Sequence, residues 1–369
     1  MKILEVANVD FSLRHFVLPL MRELRERGHE VVGASADGPL LADLRAEGFR
    51  IEALPLARSL SPRAQLRAFR SLLELIRRER PDMVHAHMPI SGALARLAAR
   101  LCRVPVVAYT CHGFLFNQPG SRRRRWFGFA VEWAAGRLTD RYLTVGEEEA
   151  ADARRLRIHR RAIAAGNGRS PSVFRPDPDA RARIRATLGV PDGRVVVAIL
   201  SRLVRHKGHP ELLRAMEQVP DAELWVVGDR LPSDHGATLD DAFRRAAAVL
   251  GPRLRRLGYR TDTAAILAAA DIFALPSQFE GLPMSVIEAM LCGLPVVATA
   301  IRGPREQVVP GETGLLVPPF AVDPLAAALR RLAADPALRR RLGDAGRNRA
   351  LARYDESRVL ARTASLLLD

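Results

Sequence analysis

Two glutamates lie eight positions apart in the apolar segment SQFEGLPMSVIEAMLCGLPVV, which begins at Ser277. Glu280 precedes a predicted helix that starts near Pro283 and ends at Gly293, and Glu288 lies within it. A fully helical path would separate the carboxylates by roughly 12 Å, whereas those of a retaining glycosidase are about 5 Å apart. No Asp or His is interleaved, so a shared metal is not predicted. Two such carboxylates suit two hydroxyl-rich groups, because carboxylates accept strongly from vicinal diols. The alternative is a loop charge and a solvated helix charge.

The segment ILSRLVRHKG places cations after an apolar strand that ends at Leu200. Arg202 and Lys207 follow that strand and precede a helix that opens near Pro210. Two cations beside a helix N-terminus suit a diphosphate. Lys2 and Lys207 are the only lysines, which favours a position that needs a compact ammonium. The alternative is an ordinary loop of a basic protein.

Histidines follow two other predicted strands. His112 in YTCHGF stands at the carboxyl end of an apolar strand, although a lone histidine is more often structural. His85 and His87 in VHAHMP alternate along a strand end, and no third ligand stands at a suitable spacing. We therefore expect no metal site and interpret these two histidines as structural or pocket-lining.

The net charge of +16 and the pI of about 11.1 raise the possibility of nucleic acid or an anionic membrane as a partner. Most arginines are scattered over predicted helices, and no nucleic-acid-binding module is recognised, so we predict no nucleic-acid partner. One cluster, SRRRRWFGF, combines arginines with large aromatic side chains, as interfaces with anionic headgroups do. It contains Arg122, Arg123, Arg124, Arg125 and Trp126. The alternative is a plain basic helix start.

Composition indicates a globular chain of 369 residues, with 48% hydrophobic and 27% charged residues, which is long enough for two domains. The three cysteines fit neither a disulfide framework nor a zinc site, which favours a reducing compartment. We find neither a signal-peptide core nor about 18 uninterrupted apolar residues. We therefore expect a soluble cytoplasmic protein, or one that is peripheral on the inner face of the cell membrane.

Short apolar strands alternate with amphipathic helices, which predicts an α/β fold with doubly wound parallel sheets. One such helix, LRHFVLPLMRELRERG, places Phe16, Leu20 and Leu24 on one predicted core face. The predicted strands are KILEVAN, HEVVGAS, RIEALPL, DMVHAH, VPVVAYTCH, DRYLTVG, AIAAGNG, RVVVAILS, ELWVVGD, RLRRLGY, DIFALPS, LPVVAT and GLLVPP.

The alternation lapses near Gly166 in GNGRSPSVFRPDPDA, whose Gly, Pro, Ser and Asp residues mark a boundary. We predict two Rossmann-like domains, 1–168 and 169–350, and a C-terminal helix, 351–369, that returns to the first. Such folds bind ligands at the carboxyl ends of their strands, so two facing domains would form a crevice.

Four segments, SRLVRHKG, EGLPMSVIE with the following AMLCGLPVVAT, GETGLLVPP and YTCHGF, together resemble the retaining glycosyltransferases of family four, which have the GT-B fold. The resemblance covers nearly the whole chain, and the Glu280–Glu288 segment is its most specific part. VDFSLRHFVLPLMRELRERGHEV and GDRLPSDH resemble the branch that builds capsule and exopolysaccharide repeat units.

The resemblance implies roles for particular residues. Arg202 and Lys207 would neutralise the donor diphosphate, Glu288 would hold the donor ribose, and Glu280 would hold hydroxyls of the transferred sugar. His112 would approach that sugar near the reacting carbon. Four residues are therefore expected to be catalytic: His112, Glu280, Arg202 and Lys207. Backbone amides from Leu282 to Ser285 would contact the phosphates, and the loop that contains Tyr259 and Arg260 would contact the base. The expected donor-binding residues therefore also include Gly281, Leu282, Pro283, Met284, Ser285, Tyr259 and Arg260.

The chain departs from the family pattern at two places. After the first strand it reads ANVDFSLRH without glycine, so Asp10 or Arg14 is expected to shape the acceptor side instead. In VVGDRL, Arg230 replaces a second glycine, which weakens any phosphate role for that turn.

The family resemblance implies a retaining, metal-independent hexosyl- or N-acetylhexosaminyltransferase of surface polysaccharide biosynthesis. Its donor would be a nucleotide sugar, expected to be UDP-linked, and it would need no further cofactor. Its acceptor would be linked to undecaprenyl diphosphate or be a saccharide. The alternatives are a sugar-nucleotide epimerase of the same fold, a nucleic-acid-binding protein, or a catalytically dead scaffold. A phosphorylase would need a cofactor lysine deep in the second domain, which is disfavoured because Lys207 is the only lysine beyond residue 2.

Overall fold

The structure, a computed structural model, describes residues 1–56, 61–230, 234 and 236–369. The chain divides into two compact units. The first contains Met1–Gly166 and Arg358–Asp369, and the second contains Asn167–Ser357. Positions 231–233 and 235 of the GDRLPSDH segment lie outside the described residues.

The first unit is built on a parallel sheet of seven strands in the order β3-β2-β1-β4-β5-β6-β7. Its strands are β1 (Lys2–Val6), β2 (Glu30–Ser35), β3 (Arg50–Ala53), β4 (Met83–His87), β5 (Val106–Cys111), β6 (Arg141–Thr144) and β7 (Ile163–Ala164). Its helices are α1 (Asp10–Ser12), α2 (Leu18–Glu26), α3 (Leu41–Ala46), α4 (Pro62–Glu79), α5 (Pro89–Leu101), α6 (Arg122–Gly136) and α7 (Glu147–Arg155).

Hydrophobic clusters cover both faces of this sheet, because successive side chains of a strand point to opposite faces. Leu4 belongs to one cluster together with residues of α4 and α5. Ile3 belongs to the other, which includes Leu24 of α2 and Leu367 near the C-terminus. The strands are therefore apolar over most of their length, as parallel strands buried on both faces must be.

Phe16 packs against the hydrophobic cluster that contains Leu20 and Leu24, as the helix spacing predicts, but it lies at the border of that cluster. Leu20 and Leu24 are buried, but Phe16 is only partly buried and contacts the ring of His112 at a centroid distance of 6.2 Å. The reason is a π-helical turn, Leu13–Val17, that precedes α2. Such a turn inserts one extra residue and shifts the helical register, so Phe16 packs against the buried cluster and also reaches the His112 ring.

The second unit is built on a parallel sheet of six strands in the order β10-β9-β8-β11-β12-β13. Its strands are β8 (Val195–Leu200), β9 (Ala222–Val227), β10 (Leu254–Gly258), β11 (Ile272–Leu275), β12 (Val296–Thr299) and β13 (Gly314–Val317). The remaining helices are α8 (Pro178–Thr187), α9 (His209–Glu217), α10 (Asp240–Leu250), α11 (Thr263–Ala269), α12 (Met284–Leu291), α13 (Pro304–Gln307), α14 (Val322–Ala334), α15 (Pro336–Arg353) and α16 (Glu356–Leu368).

Each of the thirteen predicted strands is confirmed, and both sheets are parallel and doubly wound, as predicted. The direction of winding reverses between β1 and β4 in the first sheet and between β8 and β11 in the second. Ligands of doubly wound proteins bind at such switch points, outside the carboxyl ends of the strands. Each of these two places is therefore a candidate ligand-binding region.

Candidate functional site

Lys207 and Glu280 flank the switch point of the second sheet. Lys207 ends a short 3₁₀ turn after β8, and Glu280 lies in the loop after β11. The Lys207 Nζ donates to both carboxylate oxygens of Glu280, at 2.7 and 2.9 Å, and the Ser277 hydroxyl donates to Glu280 Oε1 at 2.6 Å. The structure thus joins two residues that sequence analysis placed in separate motifs.

Glycine permits the loops after β8 and β11 to pack this closely. Gly208 has a φ of 77°, and a Cβ at this position would overlap the backbone carbonyl of Pro276. The Gln278 N–H also donates to the His206 carbonyl at 2.8 Å. Glycine adopts the left-handed conformation easily and has no Cβ that would overlap the neighbouring loop. The two loops can therefore bring the Lys207 side chain into contact with Glu280.

Arg202, the other predicted phosphate ligand, forms an ion pair with Asp234. Its carbonyl lies 3.0 Å from Nε2 of His209, the first residue of α9, and the Ser201 hydroxyl lies 3.1 Å from the same nitrogen. Burial lowers the pKa of His209 to about 4, so this histidine is neutral at pH 7. The neutral, buried His209 side chain therefore holds Ser201 and Arg202, the first residues of the loop after β8.

Arg230, the unexpected residue of the turn after β9, has a structural partner set. Its guanidinium donates to the carbonyls of Asp234, Gly236 and Ala237 at 3.0, 2.7 and 3.1 Å. A glycine there could not gather these carbonyls. The substitution thus fastens the backbone that carries Asp234, the partner of Arg202.

Glu288 occupies the second turn of α12 and has a different partner from Glu280. The Arg169 Nε donates to Glu288 Oε1 at 2.7 Å, and both side chains are largely buried. Each glutamate is therefore paired with its own cation, Lys207 for Glu280 and Arg169 for Glu288. Sequence analysis missed Arg169, because it lies in a segment that reads only as a linker.

The turn between the two glutamates corrects one expectation. Pro283 has no N–H and cannot offer the predicted backbone contact to phosphate. The carbonyls of Leu282 and Pro283 accept from Asn167 Nδ2 at 2.8 Å and Gln307 Nε2 at 2.9 Å, which fixes the turn. Of the other predicted positions, Met284 and Ser285 begin α12, where backbone N–H groups have no preceding helical carbonyl to pair with.

Tyr259 and Arg260 follow β10, at the edge of the second sheet. The Tyr259 N–H donates to Asp229 at 2.9 Å, and its side chain is 51% exposed. Arg260 pairs with Asp262 through two hydrogen bonds of 2.8 and 2.6 Å. In the part of the chain that the structure describes, neither residue contacts the other predicted donor ligands, and their role stays a prediction.

A second cluster lies at the switch point of the first sheet. Glu5 of β1 and the two histidines of β4 are buried, and they connect to Thr110 and His112 at the end of β5. His85 Nδ1 lies 3.0 Å from the Glu5 carboxylate, and His87 Nε2 lies 2.8 Å from it. His85 Nε2 lies 2.8 Å from the Thr110 hydroxyl, and His87 Nδ1 lies 3.1 Å from His112 Nε2.

Burial and mutual contacts set the charges of this cluster. Burial raises the pKa of Glu5, but the charge of His85 and the hydrogen bonds from His85 and His87 outweigh it and lower the pKa to about 2. Burial, helped by the charge of His85, lowers the pKa of His87 to about 4. Burial, helped by the two neighbouring histidines, lowers the pKa of His112 to about 3. At pH 7 the carboxylate is ionised, and His87 and His112 are neutral.

The expectation that no third metal-ligating group accompanies His85 and His87 is wrong. Glu5 supplies one, and ligand atoms of the three residues lie within 4.8 Å of one another. Sequence analysis missed Glu5 because it lies 80 positions before His85 and meets it only through strand pairing. A charged residue inside the apolar run KILEVAN was the available signal.

The two residues predicted to shape the acceptor side have local partners. The Asp10 carboxylate accepts from the backbone N–H of Phe11 at 2.7 Å and of Leu40 at 3.2 Å. Arg14 pairs with Asp43 at 3.2 Å. Asp10 therefore ties the start of α1 to the segment before α3, and Arg14 joins the π-helical turn to α3. An acceptor role for either residue stays a prediction.

The basic aromatic cluster begins α6. The Ser121 hydroxyl caps this helix by accepting from the Arg124 N–H at 3.3 Å. Arg125 donates to the Phe116 carbonyl at 2.9 Å, and the Trp126 side chain is 72% exposed. Phe127 and Trp133 are also exposed on α6. An exposed aromatic face beside arginines needs an explanation beyond helix capping.

Across the described ranges, no helix has both the length and the apolar character that crossing a membrane would need.

Comparisons with known proteins cover both units. Residues 180–349 match the family model described as glycosyl transferases group 1, and residues 13–168 match the glycosyl transferase 4-like domain. The chain is 31% identical to EpsD of Bacillus subtilis, named as a glycosyltransferase, over 99% of this chain and 96% of that protein. It is 30% identical to the UDP-Gal:alpha-D-GlcNAc-diphosphoundecaprenol alpha-1,3-galactosyltransferase of Escherichia coli, over 82% of this chain and 79% of that protein. The crystal structure of HepE from Anabaena in complex with UDP matches with a TM-score of 0.82 at 23% identity, over 100% of this chain and 99% of that one, and shows the fold.

Proposed function

Because the chain belongs to the glycosyl transferases of group 1 and is a GT-B glycosyltransferase, we propose that its donor is a UDP-linked sugar and that the configuration at the anomeric carbon is retained without a metal ion. The proposed acceptor is a glycan linked to undecaprenyl diphosphate or a saccharide of a surface polysaccharide, such as a capsule or exopolysaccharide. The name of the galactosyltransferase relative supports both the nucleotide and the lipid carrier.

The observation that carries the donor proposal is the Lys207–Glu280 pair at the switch point of the second sheet. An ammonium group has three protons, and Glu280 takes two of them in the structure. The third is available to a phosphate oxygen. Glu280 thereby orients Lys207 and keeps lone pairs for hydroxyl groups of a sugar.

The chemistry expected of these residues is electrostatic. When the bond between sugar and diphosphate breaks, negative charge develops on the leaving phosphate. Lys207 and Arg202 would stabilise that charge, and fixed cations in a partly dry site do so far better than water. The leaving phosphate itself would take the proton of the acceptor hydroxyl as the acceptor attacks from the same face. Protein groups then need only position the reactants.

Glu288 and Arg169 would bind the ribose of the donor. The Arg169 guanidinium holds one carboxylate oxygen of Glu288 at 2.7 Å. The second oxygen is then directed toward a diol, and the nearby guanidinium lowers the cost of burying the charge. His112 of the first unit is proposed to approach the transferred sugar.

We also propose that α6 rests on an anionic membrane surface at the inner face of the cell membrane. Trp126 and Phe127 are 72% and 56% exposed, and Arg122 and Arg123 lie on the preceding helical positions. Aromatic side chains partition into the headgroup region, and each cation near an anionic surface contributes about 1 kcal/mol of attraction. This contact would bring the first unit to a lipid-linked acceptor.

Transfer assays test the function. Mass-tagged UDP- and GDP-sugars are incubated with undecaprenyl diphosphate-linked glycans and with free saccharides, and the lipid and aqueous products are analysed. We expect transfer from a UDP-sugar, an α-configured product from an α-configured donor, and no loss of rate with EDTA. Lys207→Ala should abolish transfer, whereas Arg205→Ala should not. Arg205 is a cation of the same turn, but its partner is Glu211 on α9. Epimerised donor in the absence of acceptor would instead support the epimerase alternative, and inversion or an EDTA-sensitive rate would contradict the mechanism.

Flotation with liposomes tests the membrane contact. Vesicles that contain anionic lipid at low salt should carry the protein, and Trp126→Ser combined with Arg123→Glu should release it. The control is Arg63→Glu combined with Arg67→Glu on α4, where both arginines are exposed. This control lowers the net charge at least as much as the Trp126→Ser, Arg123→Glu variant does, and it leaves α6 unchanged. Equal release by both variants would show an effect of total charge only and would contradict the proposed contact.

A further inference from the structure

A row of polar side chains crosses one face of the first sheet. Glu5 is the register partner of His85, and His87 is the register partner of Thr110. His112 follows Thr110 by two positions, so all five project from the same face. Glu5 and His85 are 0% exposed and His87 is 3% exposed. A buried carboxylate must be compensated by hydrogen bonds or charge, so these contacts are organised rather than incidental.

The donor and acceptor roles in this row follow from elementary chemistry. An ionised carboxylate only accepts, so Glu5 requires a proton on the His87 Nε2, 2.8 Å away. A neutral imidazole carries one proton, so the His87 Nδ1 is an acceptor. The His112 Nε2 lies 3.1 Å from that Nδ1 and must therefore donate. His85 does not alter this sequence, because protonated or neutral it donates from Nδ1 to Glu5.

We propose that Glu5 and His87 are positioning residues that hold His112 as the neutral Nε2–H tautomer and leave its Nδ1 as a hydrogen-bond acceptor. This inference rests on the function proposed above, in which His112 approaches the transferred sugar. A sugar hydroxyl could then donate to Nδ1 in a fixed direction. The tautomer of a histidine is commonly set by the bond that its other nitrogen makes.

Packing supports the same role. The Phe16 ring lies against His112 at a centroid distance of 6.2 Å and belongs to the π-helical turn Leu13–Val17. The His87 ring lies at 5.3 Å on another side. His112 is thus restrained by the Phe16 ring and by the hydrogen-bonded His87 ring. Its orientation depends on the π-helical turn, on β4 and, through the Glu5–His87 hydrogen bond, on β1.

A metal ion at the same place would require the opposite tautomer. Bound to Glu5, His85 Nδ1 and His87 Nε2, a cation would replace the protons on those nitrogens. The remaining proton of His87 would then sit on Nδ1 and donate to His112 Nε2, which moves the His112 proton to Nδ1. The separations of 2.8 to 3.0 Å between the carboxylate and these nitrogens fit hydrogen bonds, and the tautomer of His112 distinguishes protons from a metal ion at this place.

Nitrogen NMR tests the tautomer directly. The full chain is labelled with ¹⁵N-histidine, and the nine histidines are observed through long-range ¹H–¹⁵N correlations. His112 is assigned as the signal lost in His112→Gln, and metal content is measured on the same sample by mass spectrometry. A neutral Nε2–H pattern for His112 supports the proposal. A neutral Nδ1–H pattern, an imidazolium pattern at pH 7, or one zinc ion per chain would overturn it.

Kinetics test the functional consequence. Glu5→Gln replaces a carboxylate that accepts twice with an amide that must also donate, so it no longer fixes the His87 and His112 protons. We expect kcat to fall about 10- to 100-fold in Glu5→Gln and His87→Gln, as for other outer partners of functional histidines, with donor KM within about twofold. Thr110→Val removes a buried hydroxyl at the far end of the row and should stay within about threefold of the parent in kcat.

The NMR and kinetic experiments distinguish failure of the tautomer proposal from failure of the proposed function. The NMR measurement needs no activity, so failure to find any sugar transfer would refute the function and leave the tautomer decided. Circular dichroism shows whether each variant folds. If Glu5→Gln or His87→Gln does not fold, the NMR measurement on the parent chain still tests the tautomer. Loss of kcat in Thr110→Val equal to that in Glu5→Gln would reduce the effect to general packing and overturn the positioning role.

Discussion

The Lys207–Glu280 pair allows structural and chemical roles of one side chain to be separated. The lysine and glutamate side chains are 17% and 7% exposed, and two hydrogen bonds of 2.7 and 2.9 Å join them. Removing one partner of a fully buried pair costs about 3–5 kcal/mol. Since water still reaches Lys207, we expect Lys207→Met to lower the unfolding free energy of the second unit by about 2–3 kcal/mol.

The reverse substitution should cost less. In Glu280→Gln the ammonium group can turn to solvent and the Ser277 hydroxyl keeps a partner, so we expect a loss of about 1 kcal/mol. Lys207→Met combined with Glu280→Gln leaves no buried charge. It should therefore be more stable than the sum of the single effects by at least about 1 kcal/mol, the coupling that contacting residues show.

Activity should not follow stability. Loss of a fixed cation beside a leaving phosphate costs about 10²–10³ in rate, or roughly 3–4 kcal/mol. The double variant should therefore regain stability and remain inactive. Lys207→Arg is a control that keeps the charge but replaces the compact ammonium with a planar fork, and it should retain more stability than Lys207→Met.

The assay can report on the second unit alone. Trp225 is buried in β9, and the other two tryptophans, Trp126 and Trp133, belong to the first unit. In a Trp126→Phe, Trp133→Phe background, the fluorescence of Trp225 follows unfolding of the second unit in urea. Additive stability effects would refute the pairing argument, and recovery of transfer by the double variant would refute the phosphate role of Lys207.

Three further predictions concern other features of the fold. The pKa of His87 and of His209 is lowered to about 4, chiefly by burial, from an ordinary 6.5. Below about pH 6.5 only the unfolded chain takes up these protons, so each histidine should reduce stability by about 1.4 kcal/mol per pH unit down to about pH 4. Urea titrations at several pH values check this, and an unchanged midpoint between pH 7 and 5 would contradict it. Gly208→Ala would overlap a backbone carbonyl and should cost more than about 2 kcal/mol, whereas Gly189→Ala, also at positive φ but with open space around it, should cost about 1 kcal/mol by thermal unfolding. Arg169→Gln releases the helix α12 glutamate and should weaken UDP binding by about tenfold in calorimetry, with no comparable loss for Arg169→Lys.

The sequence predicted more of the fold than of the site. Most strands could be located because a parallel strand buried on both faces needs a continuous apolar run, and that requirement is local. The edge strands β3 and β10 are mixed in composition and were located by their place in the alternation of strands and helices. The first long helix shows the limit of such reasoning. A period of 3.6 places Phe16 with Leu20 and Leu24, but the π-helical turn of Leu13–Val17 breaks that period and presents Phe16 to His112.

Within the candidate site, chain position and chemical type identified individual residues but not their partners. Lys207 and Glu280 could be assigned to the ligand edge of a sheet because each follows an apolar strand. Their pairing depends on Gly208, which lets two loops approach across the switch point. The predicted backbone contacts from Leu282 to Ser285 cannot include Pro283, because proline has no N–H group to donate.

The strands, the helices and the residues at their ends can be assigned from the sequence, because hydrophobic periodicity and chain breakers act over a few neighbouring positions. The contacts of Glu5 with His85 and His87, 80 and 82 positions away, and of Arg169 with Glu288, 119 positions away, become visible only in the folded chain. Strand register and loop packing set those contacts, and both arise from long-range burial of apolar surface that no local pattern encodes.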